Sequence, residues 1–217
     1  MNNININKNS NQSGRSMIEM LGVLAIVGVL SVGGIAGYSK AMMKFKINKT
    51  VDEISHIVAN IRTLYAQQTT YDGVWTENVA EMGIVPDSLP YNSANNSFTN
   101  AFNGRTVLHS VHENASSDKW SKFRIVYEVP KEACIALATY DWGSESSSGL
   151  MAISAGRNGA STGPNYEYTG NCNDDPYGSY LVACPNDPNN PTPMNVAKAA
   201  SACNCDDGLC AVGLMFR

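Results

Sequence analysis

Upstream of Cys134 this chain has no cysteine, and upstream of Pro86 it has no proline. The missing prolines mean that nothing in the first 85 residues forces a helix to break. The missing cysteines mean that the six present, Cys134, Cys172, Cys184, Cys203, Cys205 and Cys210, belong to one region. There is no excess of positive charge: the net charge is -4. Nucleic acid is therefore not an expected partner, since neutralising phosphates needs a basic stripe. There is no phosphate loop, because "SAGRNGAST" lacks the GK[ST] ending. No Ser/His/Asp or Cys/His set has local support, so catalytic residues are none and the chain does not read as an enzyme. No cofactor is implied. Hydrophobic content of 43% excludes a polytopic membrane protein but leaves room for one span.

What is present begins with that span. Residues 1–13 are polar and Asn-rich, with no apolar stretch of the kind an ordinary secretory signal carries. From Met17 to Tyr38 the chain is almost wholly apolar or small, and Glu19 is its one charge. About 20 such residues cross a membrane as a helix. Beyond it, Ile47, Val51, Ile54, Val58, Ile61 and Tyr65 recur at a four-three spacing, with Ile57 and Leu64 widening the stripe. One helix from about Met17 to about Gln68 is predicted, apolar all round in its first half and on one face in its second. Gly33, Gly34 and Gly37 are its weak points, each costing up to ~1 kcal/mol of propensity.

After Tyr71 the composition shifts. "WTENVAEMG" predicts a short helix capped at Thr76, and residues 87–105 a polar linking segment. "RTVLHSVH", "KFRIVYEV", "LMAIS", "SYLVAC" and "LCAVGLMF" are β-branched and apolar enough for strands. "PKEACIALATYD" places Pro130 in the first turn of a helix, and "TPMNVAKAASAC" offers Thr192 as cap with Pro193 at the first helical position. The expected fold class is α+β: a long N-terminal helix packed on an antiparallel sheet head.

The cysteines are an even set among Asn, Asp, Gly and Pro, which reads as a disulfide framework in an oxidising compartment. Zinc is the rival reading. "CNCDDGLC" has a close C-x-C but no CxxC pair at finger spacing and no nearby His, so metal ligands are expected to be none. His109, His112 and Glu113 also invite a metal reading. Residues three apart on a strand point to opposite faces, so they are expected as surface strand residues. His56 falls between stripe positions and is expected to be solvated or to face another subunit. Asp174-Asp175 and Asp206-Asp207 are expected as solvated turn residues rather than calcium ligands.

Gly14 followed by "RSMIEMLGVLAIVGVL" resembles the class III signal of type IV prepilins. The resemblance implies a cleaved leader (1–14), cut between Gly14 and Arg15 by a prepilin peptidase. It implies N-methylation of Arg15, and Glu19 as fifth mature residue pairing with the Arg15 amine of a neighbour. The departure is Arg15, where the family has Phe, Met or Leu. A carboxylate inside hydrocarbon is costly enough to require a partner, and the N-terminal amine supplies one.

"FTNAFNGRTVLHS" and "KFRIVYEVPKEACIAL" further resemble the head of type IVb pilins, the toxin-coregulated and conjugative thin-pilus kinds. Phe102-Asn103-Gly104 replaces the usual Phe-Gly-Gly. In that family a disulfide ties the first head helix to a segment near the C-terminus, so Cys134 is expected to bond Cys203, Cys205 or Cys210. Cys172–Cys184 is expected as a local loop.

The implied organisation is a leader over 1–14, a long helix over 15–70 with its span at 17–38, and a head over 71–217. The implied function is a structural subunit of a type IV pilus, a homo-polymer extended by an assembly platform and an ATPase. It waits in the inner membrane with a periplasmic head, then stands in an extracellular filament serving adhesion, aggregation, motility or DNA transfer. Alternatives are a minor or tip pilin, a type II secretion pseudopilin, or a single-pass anchored periplasmic binding protein. One feature conflicts. Lys40, Lys44, Lys46 and Lys49 follow the span, while only Lys8 and Arg15 precede it. The positive-inside rule would place the head in the cytoplasm, against the cysteines and the signal.

Overall fold

A computed structural model describes residues 13–112, 119–143, 148–157, 180–184, 188, 191–205 and 208–217. The chain divides into two compact units, Met1–Lys44 and Phe45–Arg217. One helix, α1 (Ser13–Leu64), supplies the described part of the first and opens the second. It starts and stops about one turn earlier than the sequence pattern suggests. After Leu64 the chain turns, and the Tyr65 hydroxyl donates to the Asp72 carbonyl at 2.9 Å while its ring packs on Tyr71.

The second unit is built on the stripe. Val51, Ile54, Ile57, Val58, Ile61 and Tyr65 are buried, and Ile47 packs against the same core. Each buried aliphatic side chain contributes about 1.5–3 kcal/mol relative to exposure. Leu64 corrects the pattern: it is exposed, because it falls where α1 ends and the core has moved to Tyr65. Thr50 and Glu53 extend the stripe with polar groups that are buried all the same.

Opposite the stripe lies one antiparallel sheet of β1 (Tyr91–Asn92), β2 (Ser97–Thr99), β3 (Arg105–Val111), β4 (Lys122–Val129), β5 (Leu150–Arg157), β6 (Tyr180–Ala183) and β7 (Cys210–Phe216). Its order is β1-β2-β3-β4-β7-β5-β6, so the last strand in sequence lies inside the sheet. On β4, Phe123, Ile125, Tyr127 and Val129 face the core, as do Cys210, Val212, Leu214 and Phe216 on β7. Both sets alternate with period two, and the residues between them are largely buried on the other face as well. Their register pairs Phe123 with Phe216 and Val129 with Cys210.

Also in the unit are helices α2 (Thr76–Met82), α3 (Lys131–Ala138) and α4 (Val196–Ala202). Their caps differ from expectation. Trp75, not Thr76, is the cap residue of α2. The Thr76 hydroxyl is drawn away by β3, accepting from Leu108 N at 2.9 Å and donating to Leu108 O at 3.1 Å. Pro130 caps α3 from an extended conformation instead of occupying its first turn. Asn195, not Thr192, caps α4, its side chain accepting from Lys198 N at 2.8 Å. Thr192-Pro193 is a cis peptide and stands outside the helix.

The expected linking segment at 87–105 contains β1 and β2. It ends in a turn organised by Asn100, whose Oδ1 accepts from Phe102 N and Gly104 N. Its Nδ2 donates to the Glu128 carbonyl at 2.9 Å. Asn103 takes a positive φ of 60°, which asparagine tolerates. Gly104 lies so close to β4 that an added Cβ would collide with the Glu128 carbonyl.

Candidate assembly surfaces

The described side chains of the apolar half of α1 begin at Met17. Every large apolar residue there, from Met17 through Tyr38, is exposed. An 18-residue window of α1 has a mean hydropathy of 2.2 and none of it is buried, so the helix is long and apolar enough to cross a membrane. Two of its serines are tucked in: the Ser31 hydroxyl donates to Val27 O at 2.7 Å and Ser39 to Ile35 O at 3.0 Å. A hydroxyl bonded back to its own helix costs less in hydrocarbon than a free one. Gly22, Gly28, Gly33, Gly34 and Gly37 have nothing within 4 Å of an added Cβ. Apart from Glu19, the surface is thus largely apolar and notched by glycines, with the Ser31 and Ser39 hydroxyls bonded to the helix itself, which suits lipid or close helix packing. Gly14 and Arg15 lie in the first turn of α1, and Glu19 is exposed one turn further on.

The second unit is braced covalently. Cys134 on α3 bonds Cys203 at the end of α4, with Cα atoms 5.8 Å apart and a sequence separation of 69. Closing such a loop stabilises by ~4 kcal/mol in the chain-entropy argument. Cys205 bonds Cys210 across a separation of 5, at the start of β7. Cys184 is buried and disulfide-bonded, while Cys172, named as its expected partner, lies outside the described residues. A charged clasp closes the Gly104 turn. Arg105 bonds Glu128 Oε1 through Nε at 2.9 Å and through its terminal nitrogen at 2.6 Å, while its backbone N–H donates to Oε2. The hydrogen bond to Glu128 raises the guanidinium pKa further.

Two titratable groups are placed where sequence reasoning did not put them. Glu53 is buried on α1, accepting from Ser88 Oγ at 2.5 Å and facing Lys49 at 3.8 Å. Burial raises its carboxyl pKa, opposed by the Ser88 and Lys49 contacts. Its Oε2 and the Tyr127 hydroxyl are buried without a hydrogen-bond partner among the described residues. Glu53 was hidden in the sequence because it falls between stripe residues; its position beside Val51 and Ile54 was the available signal.

His109 and His112 stand at the two ends of a run of aromatic rings. Val111 ends β3, so His112 escapes the strand's alternation. The rings form a chain instead: His109 on Trp75 at 5.9 Å, Trp75 on Trp120 at 5.2 Å, and Trp120 on His112 at 3.7 Å. His109 is half-buried rather than a surface residue, with neither ring nitrogen hydrogen-bonded among the described residues. Burial, with Arg124 beside it, lowers its pKa to about 4. His56 is exposed on α1. Glu113, Asp174-Asp175 and Asp206-Asp207 lie outside the described residues. Among the described residues no three His, Cys, Asp or Glu side chains gather to hold a metal.

A long helix with an exposed apolar half, followed by a disulfide-braced antiparallel sheet cored by its amphipathic half, is the α+β fold of a type IV pilin. The family model of bundlin matches residues 40–184, two thirds of the chain. The chain belongs to the bundlin family. The major structural subunit of the bundle-forming pilus of Escherichia coli O111:H- is 26% identical over 152 residues, covering 70% of this chain and 77% of that one. Its counterpart in Escherichia coli O127:H6 matches with the same identity and coverage. Among solved structures, a type IV b pilin from Salmonella typhi superposes with a TM-score of 0.44 at 14% identity. That match covers 76% of this chain and 97% of that one.

Proposed function

We propose that this chain is the structural subunit of a type IV pilus, of the IVb kind, polymerising through α1. The observation that carries the reading is the division of α1: one half is the core of the second unit, and the other half leaves all its large apolar side chains exposed. Such a surface needs a covering, by membrane first and by other copies afterwards. The E. coli relatives are named as major structural subunits of a pilus, which supports a major role over a minor one.

In this reading a prepilin peptidase removes residues 1–14, and Arg15 becomes the methylated N-terminus. After cleavage α1 holds the chain in the inner membrane through its span at 17–38, with the head over 71–217 in the periplasm. An assembly platform and an ATPase then extend the filament to the outside. Repetition of one heterologous contact makes an open fibre rather than a closed ring. Glu19 and the Arg15 amine of a neighbour pair in the dry core, where an unpaired charge is strongly disfavoured. The pair sets the axial step more than it adds stability.

Glu19→Ala tests this. The variant is expected to insert and be cleaved, and to yield little sheared filament. Normal filament yield from Glu19→Ala would contradict the register role.

A further inference from the structure

The lysines after the span oppose the topology that the signal and the cysteines require, so they need a reason to be there. Residues 40–49 carry four lysines and no acid. Residues 50–90 carry Asp52, Glu53, Asp72, Glu77, Glu81 and Asp87 against a single cation, Arg62. The sign of charge therefore reverses abruptly along one stretch of chain.

The structure divides the lysines. Lys49 faces Glu53, and Lys46 sits over the Phe102 ring at 5.7 Å. Lys40 and Lys44 are exposed and form no ion pair among the described residues. They are four apart on α1, so they share a face, and like charges at that spacing disfavour the helix. Two unfavourable effects, on topology and on helix stability, thus have no compensation among the described residues of one copy. On the acidic side, Arg62 is committed to the Arg217 carbonyl at 2.9 Å and the Phe216 ring, and Asp52 is exposed without an ion pair among the described residues.

We propose that the Lys40–Lys44 face of α1 docks on the acidic face of a second copy, with Lys44 opposite the second copy's Asp52. This rests on the pilus reading above and adds a partner surface to it. Helices packed side by side with an axial stagger bring the two together. A displacement of eight residues, ~12 Å at the α-helical rise, sets Lys44 level with the neighbour's Asp52. The same complementarity rejects an unstaggered pairing, which would set lysine against lysine. A second copy is preferred to an anionic lipid headgroup because the exposed Asp52 lies on the same helix, one short stagger away.

The test is charge reversal in the full chain, read as sheared filament. Lys44→Glu is expected to lose the filament while cleaved, protease-resistant subunit accumulates in the membrane. Lys44→Gln is expected to give an intermediate loss, and the swap Lys44→Glu with Asp52→Lys to restore filament. Normal yield from Lys44→Glu would overturn the proposal. So would a loss that the swap fails to restore. In that last case the lysine serves anionic lipid headgroups rather than a second copy. Absence of filament from the unaltered chain would overturn the pilus reading and this one together.

Discussion

The two halves of α1 obey the same helical geometry and meet opposite fates. Between Met17 and Tyr38 every large apolar side chain is exposed; between Val51 and Tyr65 the stripe is buried under a sheet. The difference lies in pattern, not in hydrophobicity alone. An all-round apolar surface has no polar face to turn to water and is left for other molecules to cover. A one-sided stripe is covered by its own chain. Filament formation and head folding are thereby encoded on one helix without competing for the same residues.

Substituting a charge into each half sharpens that contrast most. Ile57→Asp places an unpaired carboxylate in the core and is expected to cost ~5 kcal/mol or more, enough to unfold the head. Ile26→Asp is expected to leave the head's chemical denaturation midpoint unchanged and to impair membrane insertion. Equal effects on the head would break the division. Cys134→Ser comes next, losing ~4 kcal/mol of head stability by release of the 69-residue loop. Denaturation of variant and parent side by side in oxidising buffer, where the other bridges stay closed, reads that loss directly.

Acid makes a finer probe, because the head holds two groups of opposite sign. The His109 pKa is lowered to about 4 in the fold from an ordinary 6.5. Its contribution is present above 6.5 and is lost as pH falls through 6.5 towards about 4. His109→Phe is therefore expected to flatten the acid limb of head stability over that window, by about 2 kcal/mol after discounting for partial exposure. The Glu53 pKa is raised. Its contribution is greatest in acid, below its ordinary value, and declines as pH rises through the raised one. Glu53→Gln is expected to stabilise the head at neutral pH by a few tenths to ~1 kcal/mol, with the gain vanishing in acid. Thermal melts across the pH series check both, and parallel curves for variant and parent would contradict either assignment.

What the sequence made legible follows the same division. The apolar run and the stripe were visible because helical periodicity is local, and β3, β4, β5, β6 and β7 were visible as short β-branched or apolar runs. Strand order was not, since the insertion of β7 between β4 and β5 is a tertiary choice with no local signature. The Asn/Ser-rich composition at 91–99 concealed β1 and β2, whose apolar signal is little more than Tyr91 packed on Phe98. The caps failed where tertiary contacts won: Leu108 took the Thr76 hydroxyl, and Asn195 did what Thr192 was expected to do. Cys134 bonds Cys203, one of three partners left open, because only the folded α3 and α4 decide which sulfur is within reach.

The central claim is that this helix is exposed by cleavage and then polymerised, and the mature N-terminus tests it most directly. Intact mass and N-terminal sequencing of the dominant protein in sheared surface filaments should give a chain beginning at Arg15, methylated on its amine. A chain still carrying Met1, retained in the membrane and missing from filaments, would contradict the account.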